Sequence, residues 1–122
     1  MDPQDAVGLI GTAVWEIVYE ERDSEGLQIA INDGSSLVFT VWTDWTLIIE
    51  HRTDIAIPDY FWPPEKFSRR DIVHDAPEGG LKITSLKVGF NEKSETTRAD
   101  LAIGSHRISA RMFGGDIKIS IC

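Results

Sequence analysis

The stretch ADLAIGSHRISARMFGGDIKISI, residues 99–121, decides the fold, because its apolar alternation and its turn residues agree. Two-residue turns at Gly104-Ser105 and Gly114-Gly115 divide it into three strands. The first turn pairs Leu101 with Ile108 and Ala99 with Ala110, and the second pairs Met112 with Ile117, Ala110 with Ile119 and Ile108 with Ile121. Turn chemistry and apolar pattern are independent signals, so their agreement predicts an antiparallel meander. A strand predicted over residues 81–90 precedes it, and a phase change between Ile83 and Leu86 indicates a β-bulge.

A second meander is predicted over residues 27–52, where Asp33-Gly34 is a strong hairpin signal. A two-residue loop at this position would place Phe39 on the face opposite Ile29. We therefore expect a three-residue loop, Asp33-Gly34-Ser35, which keeps one apolar face intact. This register pairs Ile31 with Leu37, Ile29 with Phe39 and Leu27 with Val41. The same argument at Thr43-Asp44-Trp45 pairs Val41 with Leu47 and Phe39 with Ile49, and it predicts that Trp45 is exposed at a hairpin tip.

The remaining segments are less regular. Asp2-Pro3 predicts the start of a short N-terminal helix, residues 12–20 alternate as a strand, and residues 22–26 read as a polar turn. Residues 53–80 contain four prolines, which forbid regular central strands, although Pro64 can begin a helical turn. The prediction is one mostly β domain over residues 1–122. Its two antiparallel meanders form a curved sheet, a sandwich or a partly open barrel of about seven or eight strands, with a short N-terminal helix and a Pro-rich excursion.

Composition limits the classes of partner. The single cysteine, Cys122, excludes an internal disulfide and a cysteine-based zinc site, which fits a reducing compartment. No apolar run approaches the ~20 residues of a membrane-spanning helix, and the N-terminus lacks the basic start of an export signal. The net charge of −8 argues against general nucleic-acid binding. We therefore expect a cytoplasmic protein with neither a membrane nor a nucleic-acid partner, and the oligomeric state stays open.

No motif in the sequence identifies an enzyme. The three histidines lack ligand spacing, and the candidate cation group Asp71, His74 and Asp75 is more typical of a solvated loop. There is no G-x-S-x-G elbow, no P-loop and no dinucleotide glycine pattern. We expect no catalytic residues, no metal and no cofactor. An enzyme whose residues are scattered along the chain is the third-ranked interpretation.

Charge and aromatic placement favour a binding function. Residues 1–61 hold 12 acids against Arg22 and Arg52, a balance of −10, whereas residues 62–122 balance at +2. This asymmetry predicts an acidic face, although the need for solubility would also account for it. Trp42, Trp45 and Trp62 fall outside the main alternation, which is typical of binding surfaces. The alternative is that Trp42 joins Val38 and Ile48 in a second core face covered by the excursion. The basic stripe on the last meander is interpreted as solvated sheet surface; it comprises Arg98, Arg107, Arg111 and Lys118.

The stretch LQIAINDGSSLVF, residues 27–39, followed by TLII after Trp45, resembles small bacterial β-sheet proteins of unknown function. Some of those proteins look like immunity proteins encoded beside secreted toxins. The resemblance covers about a third of the chain. Its motif, a strand followed by Asp-Gly and a second strand, is common to many hairpins, so no functional residue can be assigned from it. It implies a small cytoplasmic protein that neutralises a toxin by binding it.

The sequence thus predicts a non-catalytic protein-binding module, an immunity-type inhibitor of a basic toxin. The expected contact residues are Asp33, Asp44, Trp45, Glu50, Asp54 and Trp62. The alternative is a carrier of a small apolar ligand, with Trp15, Phe39 and Trp42 lining a cavity in the curved sheet.

Overall fold

Nine antiparallel strands form one curved, unclosed sheet in the computed structural model, which describes residues 2–42, 46–74 and 76–122. The strands are β1 (Ile10–Tyr19), β2 (Asp23–Ile31), β3 (Ser36–Val41), β4 (Leu47–Arg52), β5 (Phe67–Asp71), β6 (Leu81–Phe90), β7 (Thr96–Ile103), β8 (His106–Phe113) and β9 (Asp116–Ile121). Single 3₁₀ turns at Pro3–Ala6 and Pro64–Lys66 are the only helical elements in the described ranges. Within those ranges no helix is long and apolar enough to cross a membrane. The mostly β fold with a curved sheet is therefore confirmed.

The sheet order is β4-β3-β2-β1-β6-β7-β8-β9. The junction between the two halves is short, because only Ile10 and Gly11 of β1 pair with β6. Beyond that point β1 pairs with β5 instead, over residues 15–19. The sheet bends at this junction, so that β9 packs near β2 and β7 near β4. The main core lies between the two halves, and its fully buried members include Ile29, Leu37, Phe39, Ile83, Ile103 and Ile108.

The C-terminal meander has the predicted register. Leu101 pairs with Ile108, Ala99 with Ala110, Met112 with Ile117, Ala110 with Ile119 and Ile108 with Ile121. The predicted bulge is present as a register shift between Ile83 and Ser85. Gly104, Gly114 and Gly115 all have positive φ, which explains why glycine occupies these turns.

The first hairpin has three loop residues, as predicted, but the predicted register is wrong by two residues. Ile29 pairs with Leu37 and Leu27 with Phe39, and the loop is Asn32-Asp33-Gly34. Gly34 takes a positive φ of 90°, so the glycine occupies the last loop position, where a left-handed residue is needed. The slip leaves every apolar side chain on its predicted face. The next hairpin pairs Val41 with Leu47 and Phe39 with Ile49, as predicted. Residues 43–45, including Trp45 with its predicted exposure, lie outside the described residues.

Three smaller predictions are corrected. The N-terminal helix is a single 3₁₀ turn, in which the Asp2 carboxylate accepts a hydrogen bond from the Gln4 amide at 2.9 Å. The polar turn lies at Glu20, Glu21 and Arg22, and β2 begins at once at Asp23. The Pro-rich excursion contains β5, which the sequence analysis missed because its residues, FSRRD, show no apolar alternation.

Candidate binding surface

Residues 53–66, which we call the strap, lie across the outer face of the first meander. Buried polar groups of the sheet hold the strap backbone. The Ser36 hydroxyl donates to the Asp54 carbonyl at 2.7 Å, and the Gln28 amide donates to the Ala56 carbonyl at 3.0 Å. Ser36 and Gln28 are fully buried. Because a buried donor without an acceptor is costly, these bonds fix the strap on the sheet.

Arg69 of β5 completes this network. Its guanidinium donates to the Ile55 carbonyl at 2.5 Å and to the Gln28 side-chain oxygen at 3.2 Å. The same group stacks on the ring of Trp15, 4.0 Å from the centroid. Burial lowers the pKa of Arg69 from its ordinary value. The arginine thus joins β1, β2, β5 and the strap.

Aromatic rings fix the other end of the strap. Phe61 packs with the fully buried Ile17 and Val38 in a second, smaller core. Gly26 makes room for this ring, since a Cβ there would lie 3.1 Å from the Phe61 ring. The alternative interpretation, a second core face covered by the excursion, is therefore confirmed for Val38, whereas Trp42 is 43% exposed. From this core a continuous row of rings, each 5.0–5.3 Å from the next, runs through Tyr19, Phe67, Phe61, Tyr60 and Trp42.

The row of rings ends at the surface. Trp42 contacts Tyr60 edge-on and is 43% exposed, so it forms the rim of the second core. Trp62, which precedes a cis peptide bond to Pro63, is 75% exposed. It is the most exposed large hydrophobic side chain in the described part of the molecule. The strap therefore holds an open tryptophan on a backbone that is anchored on both sides of it, at residues 54–61 and in β5.

Arg52 gathers two of the predicted acidic residues. Its guanidinium donates to Glu50 at 2.9 Å and lies 3.7 Å from the Asp54 carboxylate. Tyr60 also donates to Glu50, at 2.9 Å. Burial, followed by this bond to Glu50, raises the pKa of the Tyr60 hydroxyl well above its usual range. The bond to Glu50 likewise raises the pKa of Arg52. Much of the charge of Glu50 and Asp54 is thus balanced locally.

The first hairpin brings a serine, a histidine and an aspartate together. Ser35 donates to the Asp33 carboxylate at 2.5 Å, and the His51 ring nitrogen lies 3.0 Å from the same hydroxyl oxygen. The hydroxyl bond lowers the pKa of Asp33. In a catalytic triad the imidazole takes the serine proton and the carboxylate orients the imidazole. Here the carboxylate takes the serine hydrogen bond instead, and it also caps the turn through the Ser35 amide at 2.9 Å.

The predicted contact residues therefore divide into three groups. Asp33, Glu50 and Asp54 lie around Arg52, and Asp33 and Arg52 share a surface depression of about 320 Å³. Trp62 lies farther along the strap. Asp44 and Trp45 lie outside the described residues. The residues proposed to line a ligand cavity are separated, because Phe39 faces the main core whereas Trp15 and Trp42 lie on the strap side of the sheet.

The groups that position the strap were not predicted from the sequence; they are Gln28, Ser36, Tyr60 and Arg69. One signal was available, since Gln28 and Ser36 are polar residues within otherwise apolar strands and share the face of Val38. A buried polar residue needs a partner, so this pair indicated a polar segment above that face.

No group of three or more histidine, cysteine or acidic side chains is arranged for a metal ion in the described ranges, which exclude Asp75 of the proposed cation group. Comparison with family models, curated proteins and solved structures gives no significant match. The surface is therefore interpreted from its own chemistry.

Proposed function

We propose that this chain is a non-catalytic protein-binding module, an immunity-type inhibitor that acts in the cytoplasm by binding a basic protein through the strap. The observation that carries the proposal is the 75% exposure of Trp62 on a segment whose neighbours are fixed by buried hydrogen bonds and packed rings. Tryptophan is enriched among the residues that contribute most of the binding energy at protein interfaces.

Preorganisation makes this tryptophan an effective anchor. A loop that orders on binding loses conformational entropy, which reduces affinity. The strap is ordered before binding, because Gln28, Ser36 and Arg69 already hold its carbonyl groups. Trp42, 43% exposed at the end of the ring row, is a second exposed tryptophan on the strap side of the sheet.

The charge around the anchor favours a basic partner. The strap exposes three acidic side chains and one basic side chain; the acids are Asp54, Asp59 and Glu65, and the base is Lys66. Lys66 already pairs with Glu20 at 3.1 Å. The first 61 residues together carry −10. Such a field steers a basic partner toward the surface and repels acidic ones.

The test is to recover the partner from the native cell by affinity capture and then to measure its binding kinetics with Trp62→Ala. We expect a basic partner, and a loss of affinity of about 30-fold or more that comes mainly from faster dissociation. Phe113→Ala is the matched control, since Phe113 is 66% exposed on another part of the sheet. It should change the affinity by less than about twofold. Equal effects of the two substitutions, or an acidic partner, would contradict the proposal.

A further inference from the structure

The outward face of the β6–β9 half carries a second, oppositely charged surface. The strand register shows which residues share this face. Gly89, Arg98, Arg111 and Lys118 are successive cross-strand partners and form one row across β6 to β9. Lys87 and Arg107 belong to the neighbouring rows of the same face. We call the five basic residues the basic face; they are Lys87, Arg98, Arg107, Arg111 and Lys118, and all of them are exposed.

This face is positive on a negative molecule. Its five bases stand against Asp100 and Asp116, a balance of +3, which leaves the rest of the chain at −11 out of the total of −8. Arg98 pairs with Asp100 at 2.9 Å, and it is the one member of the basic face with an ion pair in the described ranges. The adjoining turn at residues 91–95 adds two glutamates and one lysine, so the wider balance is +2.

The surface between these bases is recessed, because the side chains there are small. Ser85, Ala102, Ser109 and Ser120 line a depression of about 310 Å³ together with Lys87, Arg107 and Asp100, and the Ser109 hydroxyl donates to the Asp100 carboxylate. A second depression, about 250 Å³, lies between Phe90, Arg98 and Arg111. Gly89 forms part of this second depression. A Cβ on Gly89 would lie 3.3 Å from Arg98 Nε, so the Arg98 side chain lies directly over the glycine. Serine hydroxyl groups and arginines are the usual donors to phosphate oxygens.

Two exposed rings lie beside the central basic row, both at the same end of the sheet. Phe90 is 61% exposed and Phe113 is 66% exposed. Both lie at the C-terminal ends of their strands, β6 and β8, which run in the same direction with β7 between them. Their strands are therefore about 9–10 Å apart at the same end of the sheet. Lys118 Nζ lies 4.8 Å from the Phe113 ring centroid, so cation and ring share one patch.

We propose that the basic face binds single-stranded nucleic acid, with Arg98, Arg111 and Lys118 on the phosphates and Phe90 and Phe113 stacking on bases. A positive surface that carries exposed aromatic rings is the combination that single-strand binding proteins use. An acidic protein segment would use the cations but would gain little from two separated rings. The proposal is independent of the strap, since none of its residues lies there.

The overall charge of −8 predicted the opposite, but net charge is a property of the whole chain. At physiological ionic strength, charges more than about 8–10 Å apart are largely screened. A short strand on the basic face therefore responds to the local +3 more than to the acids of the first meander. Duplex binding stays unfavourable, because a rigid duplex would bring many more phosphates near the acidic half.

The test is fluorescence anisotropy with a labelled oligothymidylate of about 15 nucleotides, titrated at several salt concentrations. We expect binding whose affinity falls with salt. In Arg111→Ala/Lys118→Ala the salt slope should decrease by about 1.4, because two phosphate contacts are lost. Lys66→Ala/Lys82→Ala removes the same charge at exposed positions outside the basic face and should leave the slope unchanged. Arg111→Lys/Lys118→Arg keeps the charge and should retain the slope, which separates charge from folding defects.

A second pair of measurements tests the rings. Phe90→Ala and Phe113→Ala should each weaken oligothymidylate binding about fivefold or more, and neither should change the binding of polyglutamate of similar length. Polyglutamate binding as tight as that of the oligonucleotide, with no effect of the ring substitutions, would identify an acidic-protein surface and overturn the proposal. Absence of oligonucleotide binding at about 50 mM salt would overturn it as well.

Discussion

Glu25 lies where the two halves of the sheet approach each other, and its carboxylate has acidic neighbours. Burial raises its pKa, and Asp116 and Asp23 raise it further. These groups border a cleft of about 480 Å³ between the start of β2 and β9. Because the folded pKa exceeds the unfolded value, the folded protein holds this proton more tightly than the unfolded chain does. Stability is therefore lost as the pH rises from the ordinary glutamate pKa through the raised one, and the loss persists at neutral pH.

Replacing this carboxylate should stabilise the protein. Glu25→Gln should raise the free energy of unfolding at pH 7 by up to about 1 kcal/mol, and the gain should shrink at about pH 4, where the carboxyl is largely protonated. Urea unfolding at the two pH values measures both quantities. Glu92→Gln, at an exposed site in the 91–95 turn, is the control and should have little effect. A gain of equal size at both pH values would show that the charge of Glu25 is not its cause.

At the scale of single elements, the two meanders differ in how far the sequence determines their register. At Gly114-Gly115, a shift of the strand register by one residue would separate the apolar pairs. The apolar pattern and the turn residues therefore specify the same register. At Asn32-Asp33-Gly34 a shift of two residues leaves Leu27, Ile29, Leu37 and Phe39 on the same face, so the pattern accepts both registers. The turn itself decides, through the left-handed Gly34 and the bonds of Asp33 to Ser35. Strand β5 could not be predicted, because its place depends on β1 rather than on its own alternation.

The turn at Gly114-Gly115 can be tested by substitution. Gly115 has a φ of 91°, which asparagine tolerates far better than a β-branched residue. Gly115→Val should therefore reduce the free energy of unfolding by about 1 kcal/mol more than Gly115→Asn, as measured by urea unfolding. The same two substitutions at Ser105, which lacks a positive φ, should differ much less. Equal unfolding midpoints for the two Gly115 variants would contradict the turn assignment.

For the whole molecule, the sequence shows that the first half is acidic and the second slightly basic, but it does not show where these charges lie on the folded surface. The −10 balance of residues 1–61 predicted an acidic region, yet Glu50 and Asp54 are partly balanced by Arg52, which is two residues from each and shares the side of the strand on which Glu50 lies. Trp62 was predicted as a contact residue and is open to solvent. The groups that hold its segment come from other strands, 14–28 residues from the carbonyls that they bind. Long-range polar partners such as Gln28 and the Ala56 carbonyl leave no periodic signal.

The field of the acidic half should govern the rate at which a basic partner arrives. Asp59 and Glu65 are exposed strap residues that form no hydrogen bond or ion pair with the described part of the chain, so Asp59→Asn/Glu65→Gln removes charge without disturbing the polar network. Steering acts on the encounter, so this variant should slow association several-fold at low salt while dissociation changes little. The difference from the unmodified protein should shrink as salt rises, because screening shortens the reach of the field to about 8–10 Å at physiological ionic strength. Glu78→Gln/Glu92→Gln makes the same change in net charge outside the first meander and the strap, and stopped-flow association with the purified partner should distinguish the two. If both variants slow association equally, net charge rather than the position of the strap acids drives the encounter, and the partner does not approach this surface.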